Sequence, residues 1–121
     1  MKVISIKEKL SLFADHWHPR QIAIVDDMQV ILAKIKGEFV WHSHEHEDEL
    51  FQVVKGTLYM QFRDKTEVIK EGELIVVPKG VEHNPSTKDG EEVHLLLFEK
   101  LATKHTGEIQ HEKTQTHYPK I

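Results

Sequence analysis

The feature that most constrains the fold is a series of short strand-like segments, each closed by a turn signal. Residues 21–25 run into Asp26-Asp27, and residues 28–36 into Gly37-Glu38. A short segment at 39–44 leads through an acidic loop to 49–55, which ends at Gly56. Residues 57–63 turn at Asp64-Lys65 into 66–69, and Glu71-Gly72 turns into 73–77. A loop at 78–84 and a last strong strand at 92–99 complete the series. In 57–63, Leu58, Met60 and Phe62 alternate with Thr57, Tyr59 and Gln61, the period of a strand with one buried face. In 28–36, Ile31, Ala33 and Ile35 line one face while Val30 and Leu32 line the other, so this strand is packed on both sides. Many short strands with closely spaced turns and no intervening long helix predict an all-β sandwich or barrel and exclude a parallel α/β sheet.

The ends of the chain read differently. Ser5 and Glu8 form a capping-box pattern, and Ile6, Leu10 and Phe13 share a helical face, which predicts a short helix over 6–13. Asp15 to Arg20 breaks it, since Pro19 biases His18 to an extended conformation. Trp17 is expected to be a packing anchor. Residues 103–121 show no periodicity and few apolar groups, and an exposed, partly ordered tail is expected there. The division is an N-terminal helix and linker at 1–19, a β-barrel at 20–102 and a polar tail at 103–121.

Composition removes several function classes. At 121 residues, with 39% apolar and 30% charged residues, the chain suits one domain with a modest core. It has no cysteine, so disulfides, thiolate zinc sites and thiol nucleophiles are excluded. Net charge is −4 with scattered Lys and Arg, and no basic stripe points to nucleic acid. No apolar run reaches membrane-spanning length, and a cytoplasmic location is the default expectation.

Chemistry concentrates in residues 37–56. Three histidines and four carboxylates fall between His42 and Glu49. Residues two apart on a strand project to one side, so His42 and His44 point together while Ser43 faces away. Glu49 opens the next strand and adds a hard oxygen, with Asp48 as its rival. His83 follows the turn containing Pro78 and Gly80. Imidazole with carboxylate suits Fe, Mn, Zn, Ni or Co, and three or four protein ligands leave positions for water or substrate. Glu45, Glu47 and Asp48 read as a solvated loop, with His46 at the surface.

These residues carry a resemblance. His42-x-His44-x4-Glu49-x6-Gly56 is similar to the first motif of the cupin superfamily, with Gly37 one residue closer to His42 than the family pattern has it. Gly72-x5-Pro78-x-Gly80-x2-His83 is similar to the second, with Thr87 in place of the usual Asn. The spacer of 15 residues between them resembles that of compact microbial cupins. His16-Trp17-x-Pro19, together with the two motif regions, resembles small single-domain bacterial cupins of the mannose-6-phosphate isomerase-like type. The resemblance implies a double-stranded β-helix, or jelly-roll, barrel, commonly homodimeric. It assigns His42, His44, Glu49 and His83 as ligands of one divalent metal ion, choosing Glu49 over Asp48 and leaving His46 outside.

Two functions follow as expectations. The first is metal-dependent isomerase- or dioxygenase-type chemistry on a small oxygenated metabolite. The alternative is a non-catalytic small-ligand sensor or binding module with a structural metal. Trp41, Phe51, Tyr59, Met60 and Phe62 are candidate neighbours of the site by strand position. Glu82 and Asn84 flank His83, and the side taken by His94 is open. The N-terminal segment and the two-faced strand at 28–36 are candidate dimer surface.

Overall fold

The computed structural model describes residues 1–121. Eight antiparallel strands form two sheets. The strands are β1 (Arg20–Val25), β2 (Met28–Ile35), β3 (Glu49–Lys55), β4 (Leu58–Phe62), β5 (Thr66–Ile69), β6 (Leu74–Val77), β7 (His83–Ser86) and β8 (Val93–Lys100). One sheet has the order β1-β2-β8-β3-β6 and the other β5-β4-β7. A single apolar cluster joins Ile31, Ala33 and Ile35 of β2, Phe51 and Val53 of β3 and Val93, Leu95 and Leu97 of β8 to Leu58 and Met60 of β4 and Ile69 of β5. The strands therefore close around one core, as the alternation in the sequence predicted, in the jelly-roll barrel that the resemblance implied. No helix is long and apolar enough to cross a membrane.

The helix α1 (Ile6–Leu10) is shorter than the apolar spacing suggested. Ser5 caps it by accepting from the Glu8 backbone N–H at 3.2 Å, but the chain leaves the helix at Ser11. Phe13 is instead held by β2, where Lys34 Nζ donates to its carbonyl at 2.6 Å. Leu10 and Phe13 bury the outward side of Leu32 in a second small cluster. Leu32 on the second apolar face of β2 is thus covered from within the chain, while Val30 on that face stays half-buried.

Two local expectations change. The strand predicted at 39–44 is reduced to isolated bridges, Glu38 with Ser86 and His42 with His83. The registers of these bridges differ by one residue, and the facing strand carries Pro85, which has no N–H to donate. Phe39 N–H donates to the Pro85 carbonyl at 3.0 Å, and a continuous ladder does not form. Conversely, the loop predicted at 78–84 ends early. His83-Asn84-Pro85-Ser86 has weak strand propensity, but pairing with Tyr59–Phe62 of β4 makes it β7.

The largest departure is at the C-terminus. Residues 103–121 fold back as an arm across one end of the barrel. The Gln21 N–H donates to Pro119 O at 2.9 Å and the Ile121 N–H to Gln21 O at 3.1 Å, so the chain end pairs with β1. Thr103 and Thr106 are buried, and Tyr118 packs on the main core. Part of the polar composition is satisfied internally: Thr106 Oγ1 bonds Ile109 O at 2.5 Å and Thr114 Oγ1 at 2.8 Å.

Candidate metal centre

The two bridging histidines are positioned by their own backbone. The His42 N–H donates to His83 O at 3.1 Å and the His83 N–H to His42 O at 2.9 Å, which sets their side chains side by side. In each, Nδ1 lies 2.9 Å from the carbonyl two residues earlier, that of Val40 for His42 and that of Val81 for His83. A neutral imidazole that donates through Nδ1 presents the Nε2 lone pair, so the backbone selects the ligating atom in both rings. His44 follows two residues after His42, and Glu49 enters as the first residue of β3.

The four side chains expected as ligands meet in one buried cluster, with one ligand atom from each lying within 4.8 Å of the others. His44 Nε2 lies 3.2 Å and His83 Nε2 3.5 Å from Glu49 Oε1. Ligands about 2.1 Å from an ion stand roughly 3–4 Å apart, so the cluster is close to that spacing. His44 Nε2, Glu49 Oε1 and His83 Nε2 are buried without a hydrogen-bond partner. Three orphaned buried atoms aimed at one point fit a cation, since an unmade buried polar group is costly.

Protonation is strongly perturbed. Burial drives the pKa of His42 down to about 3, and the charge of His83 adds to this. Burial also opposes the charged form of His44, but the Glu49 carboxylate 3.2 Å away outweighs it and raises its pKa. For Glu49, burial is outweighed by the close approach of the His44 and His83 imidazoles, and its pKa falls. The site thus stabilises one carboxylate among three imidazoles, the charge pattern that a divalent cation completes.

The rivals lie outside. Asp48 is exposed, and its Oδ1 accepts from the Lys79 N–H at 2.9 Å, pinning the loop instead of facing the cluster. The side chain of His46 is 88% exposed. Of the candidate neighbours, Phe51 stands edge-on to His83 with ring centroids 6.1 Å apart, and Met60 is fully buried in the core. Phe62 packs at the margin of that core. Tyr59 lies under Lys88 Nζ at 4.3 Å and Trp41 under the Arg63 guanidinium at 3.9 Å, each engaged with a long cationic side chain. Glu82 is exposed and pairs with Arg63. Asn84 donates to Glu38 Oε1 at 2.8 Å. His94 takes the outer side of β8, with Nε2 2.7 Å from Glu92 Oε1.

Beside the cluster lies a chamber of about 40 Å³ that His42 and Glu49 border. Its walls are mostly apolar, including Ile31, Phe39, Phe51, Leu95 and Leu97. Trp17 stacks on Phe39 with centroids 4.7 Å apart and closes one side. Three further polar side chains border the chamber, none singled out in the sequence as a site residue: Glu99 of β8, and His105 and Tyr118 of the arm. The ring of His105 lies 4.8 Å from that of Phe39 and 5.7 Å from that of Tyr118, centroid to centroid. Burial lowers the pKa of His105 to about 4 and raises that of Tyr118. Burial, reinforced by the charge of Glu49, raises the pKa of Glu99 well above the carboxylate range. A signal for Glu99 existed: Val93, Leu95, Leu97 and Glu99 share one parity. His105 and Tyr118 had none, because the arm has no periodicity.

Comparison with known proteins agrees with this architecture. A family model described as a cupin domain matches residues 29–99, more than half of the chain. A structure of a cupin-2 domain containing protein from Shewanella frigidimarina is 48% identical, with a TM-score of 0.79, covering 81% of this chain and 94% of that one. The structure of protein NMB1881 from Neisseria meningitidis is 32% identical with a TM-score of 0.74, covering 82% and 99%. The uncharacterized protein YdbB of Bacillus subtilis is 40% identical over 79 residues. That match spans 64% of this chain and 64% of YdbB, just under two thirds of each.

Proposed function

This chain belongs to the cupin family, and we propose that His42, His44, Glu49 and His83 hold one divalent metal ion at the edge of a chamber that takes a small oxygenated metabolite. The observation that carries this reading is the set of three buried, partnerless ligand atoms, His44 Nε2, Glu49 Oε1 and His83 Nε2. When bound, a divalent ion supplies polarisation of a carbonyl or carboxylate oxygen, or activation of water or dioxygen.

The chain's own residues do the rest. Nδ1 of His42 and of His83 anchors each ring to a backbone carbonyl and holds Nε2 towards the cluster. Glu49 supplies the negative charge. The mostly apolar walls lower the local dielectric, which strengthens electrostatic contacts inside. Chemistry of the isomerase type, as in the mannose-6-phosphate isomerase-like cupins that the sequence resembles, or of the dioxygenase type suits such a chamber.

A second reading is a non-catalytic binder of a small ligand. Its support is the arm: His105 and Tyr118 help to wall a chamber of about 40 Å³, with room for only a few non-hydrogen atoms.

Metal analysis of protein prepared with Fe2+, Mn2+ or Zn2+ tests the site, with about one ion per chain expected for wild type and loss on His42→Ala. Equal, near-zero content in both would sink the reading. Oxygen uptake or isomerised product in a metabolite screen marks an enzyme, whereas thermal stabilisation without turnover marks a binder.

A further inference from the structure

Strand β8 sends Val93, Leu95 and Leu97 into the barrel and then, at the same parity, Glu99. A carboxyl occupies the place of a fourth apolar side chain. Glu99 is 1% exposed and its Oε2 has no hydrogen-bond partner. An unmade buried polar group of this kind is destabilising, and a leucine of similar size would avoid the penalty. The protein's own polar groups leave the deficit in place. Gln29 and Thr103 lie close enough to interact with Glu99, but neither reaches its Oε2 in hydrogen-bonding geometry. The nearby Thr103 Oγ1 is itself buried and unpaired.

Glu99 also borders the chamber that His42 and Glu49 border. The chamber is therefore lined by polar groups, His42, Glu49 and Glu99 beside Glu49, and by an apolar wall that includes Phe51, Leu95 and Leu97. We propose that Glu99 is the specificity-determining contact of the ligand site, pairing with the hydroxyl of a short hydroxy acid or hydroxy-carbonyl compound whose other oxygen faces His42 and Glu49. A hydroxyl both donates and accepts, so it satisfies a carboxyl in either protonation state. A methyl in its place leaves Oε2 unpaired. The chamber volume restricts the compound to a few carbons. This inference rests on the metal-site reading above, and its chief rival is that Glu99 merely supports Glu49, which it also faces.

The test is calorimetric titration of the Zn2+-loaded full chain with 3-hydroxypropionate and with propionate, which share the carboxylate and differ at the hydroxyl. Wild type should favour the hydroxylated acid by about tenfold, the scale of one buried hydrogen bond. Glu99→Leu should keep its Zn2+, melt no lower than wild type and bind the two acids equally. Glu99→Gln, which still hydrogen-bonds, should retain a several-fold preference, and it serves as the reporter if the leucine variant does not fold. The proposal is overturned if wild type binds neither acid or both equally, if Glu99→Leu keeps the preference, or if Glu99→Leu loses Zn2+. Zn2+ content is read in the same samples. A wild type that holds no Zn2+ sinks the metal-site reading and this proposal with it, whereas a Zn2+-bearing wild type blind to the hydroxyl sinks only the role of Glu99.

Discussion

His44 Nε2 lies 3.2 Å from Glu49 Oε1, yet neither atom has a hydrogen-bond partner in acceptable geometry. The carboxylate raises the pKa of His44, so the metal-free protein favours a proton at the atom a cation would take. Metal uptake near neutral pH should therefore release protons, read as a buffer-dependent binding enthalpy. His44→Ala and His83→Ala should each weaken Zn2+ binding by at least about a hundredfold, beyond the 10–100-fold typical of losing a supporting group. Wild-type affinity in either variant would refute the ligand assignment.

Acid should compete with the metal. Ligating imidazoles must be neutral, so occupancy falls with pH below about 6 by ordinary histidine values. The raised pKa of His44 moves the onset of that loss upward, towards neutrality. Metal titrations from pH 8 to 5 should show the decline, and a flat profile would count against histidine ligation.

The metal-free protein should lose stability in the same direction for a separate reason. Burial holds His105 neutral, with its pKa lowered from 6.5 to about 4. A folded-state pKa below the unfolded one gives a contribution that is complete above the unfolded value and lost as pH falls from 6.5 through 4. The lost contribution is about 3 kcal/mol at most. Denaturant titrations of His105→Gln should show a shallower decline between pH 7 and 4 than wild type, and identical slopes would place His105 in solvent.

The arm should be stability-bearing. Gly107 has φ +60°, and a Cβ there would collide with the Ser43 carbonyl oxygen, so any side chain displaces backbone between His42 and His44 or lifts the arm. Gly107→Ala should destabilise by about 1–3 kcal/mol and weaken metal binding. Tyr118→Ala should destabilise by about 1–3 kcal/mol through lost apolar burial and should open the chamber, detected as increased binding of an apolar dye. Wild-type melting in both variants would show that the arm is peripheral.

The choice between Asp48 and Glu49 shows how far the sequence reached. Adjacent carboxylates at a loop-to-strand junction are indistinguishable by composition, and motif spacing favoured Glu49. The structural reason is pairing: Glu49 is the first residue of β3 in register with Val77, whereas Asp48 is still in the loop and caps the Lys79 N–H. His42 and His44 did point together as strand parity required, although the segment bearing them is two isolated bridges and not the ladder expected. Parity survives because an extended backbone alternates its side chains whether or not every rung is bonded.

By itself, the sequence determined the elements whose signals are local and repeated: the short alternating strands, the turns between them, the all-β class and the histidine pair with its following carboxylate. Period and spacing are properties of the chain before it folds. Only the tertiary structure decided what lies around the cluster. Glu99 came to border the chamber because β8 pairs with β3 and with β2. His105 and Tyr118 reached the chamber through single long-range contacts of an arm with no periodic pattern. Such contacts follow from the shape of the closed barrel, and that shape exists only once distant strands have met.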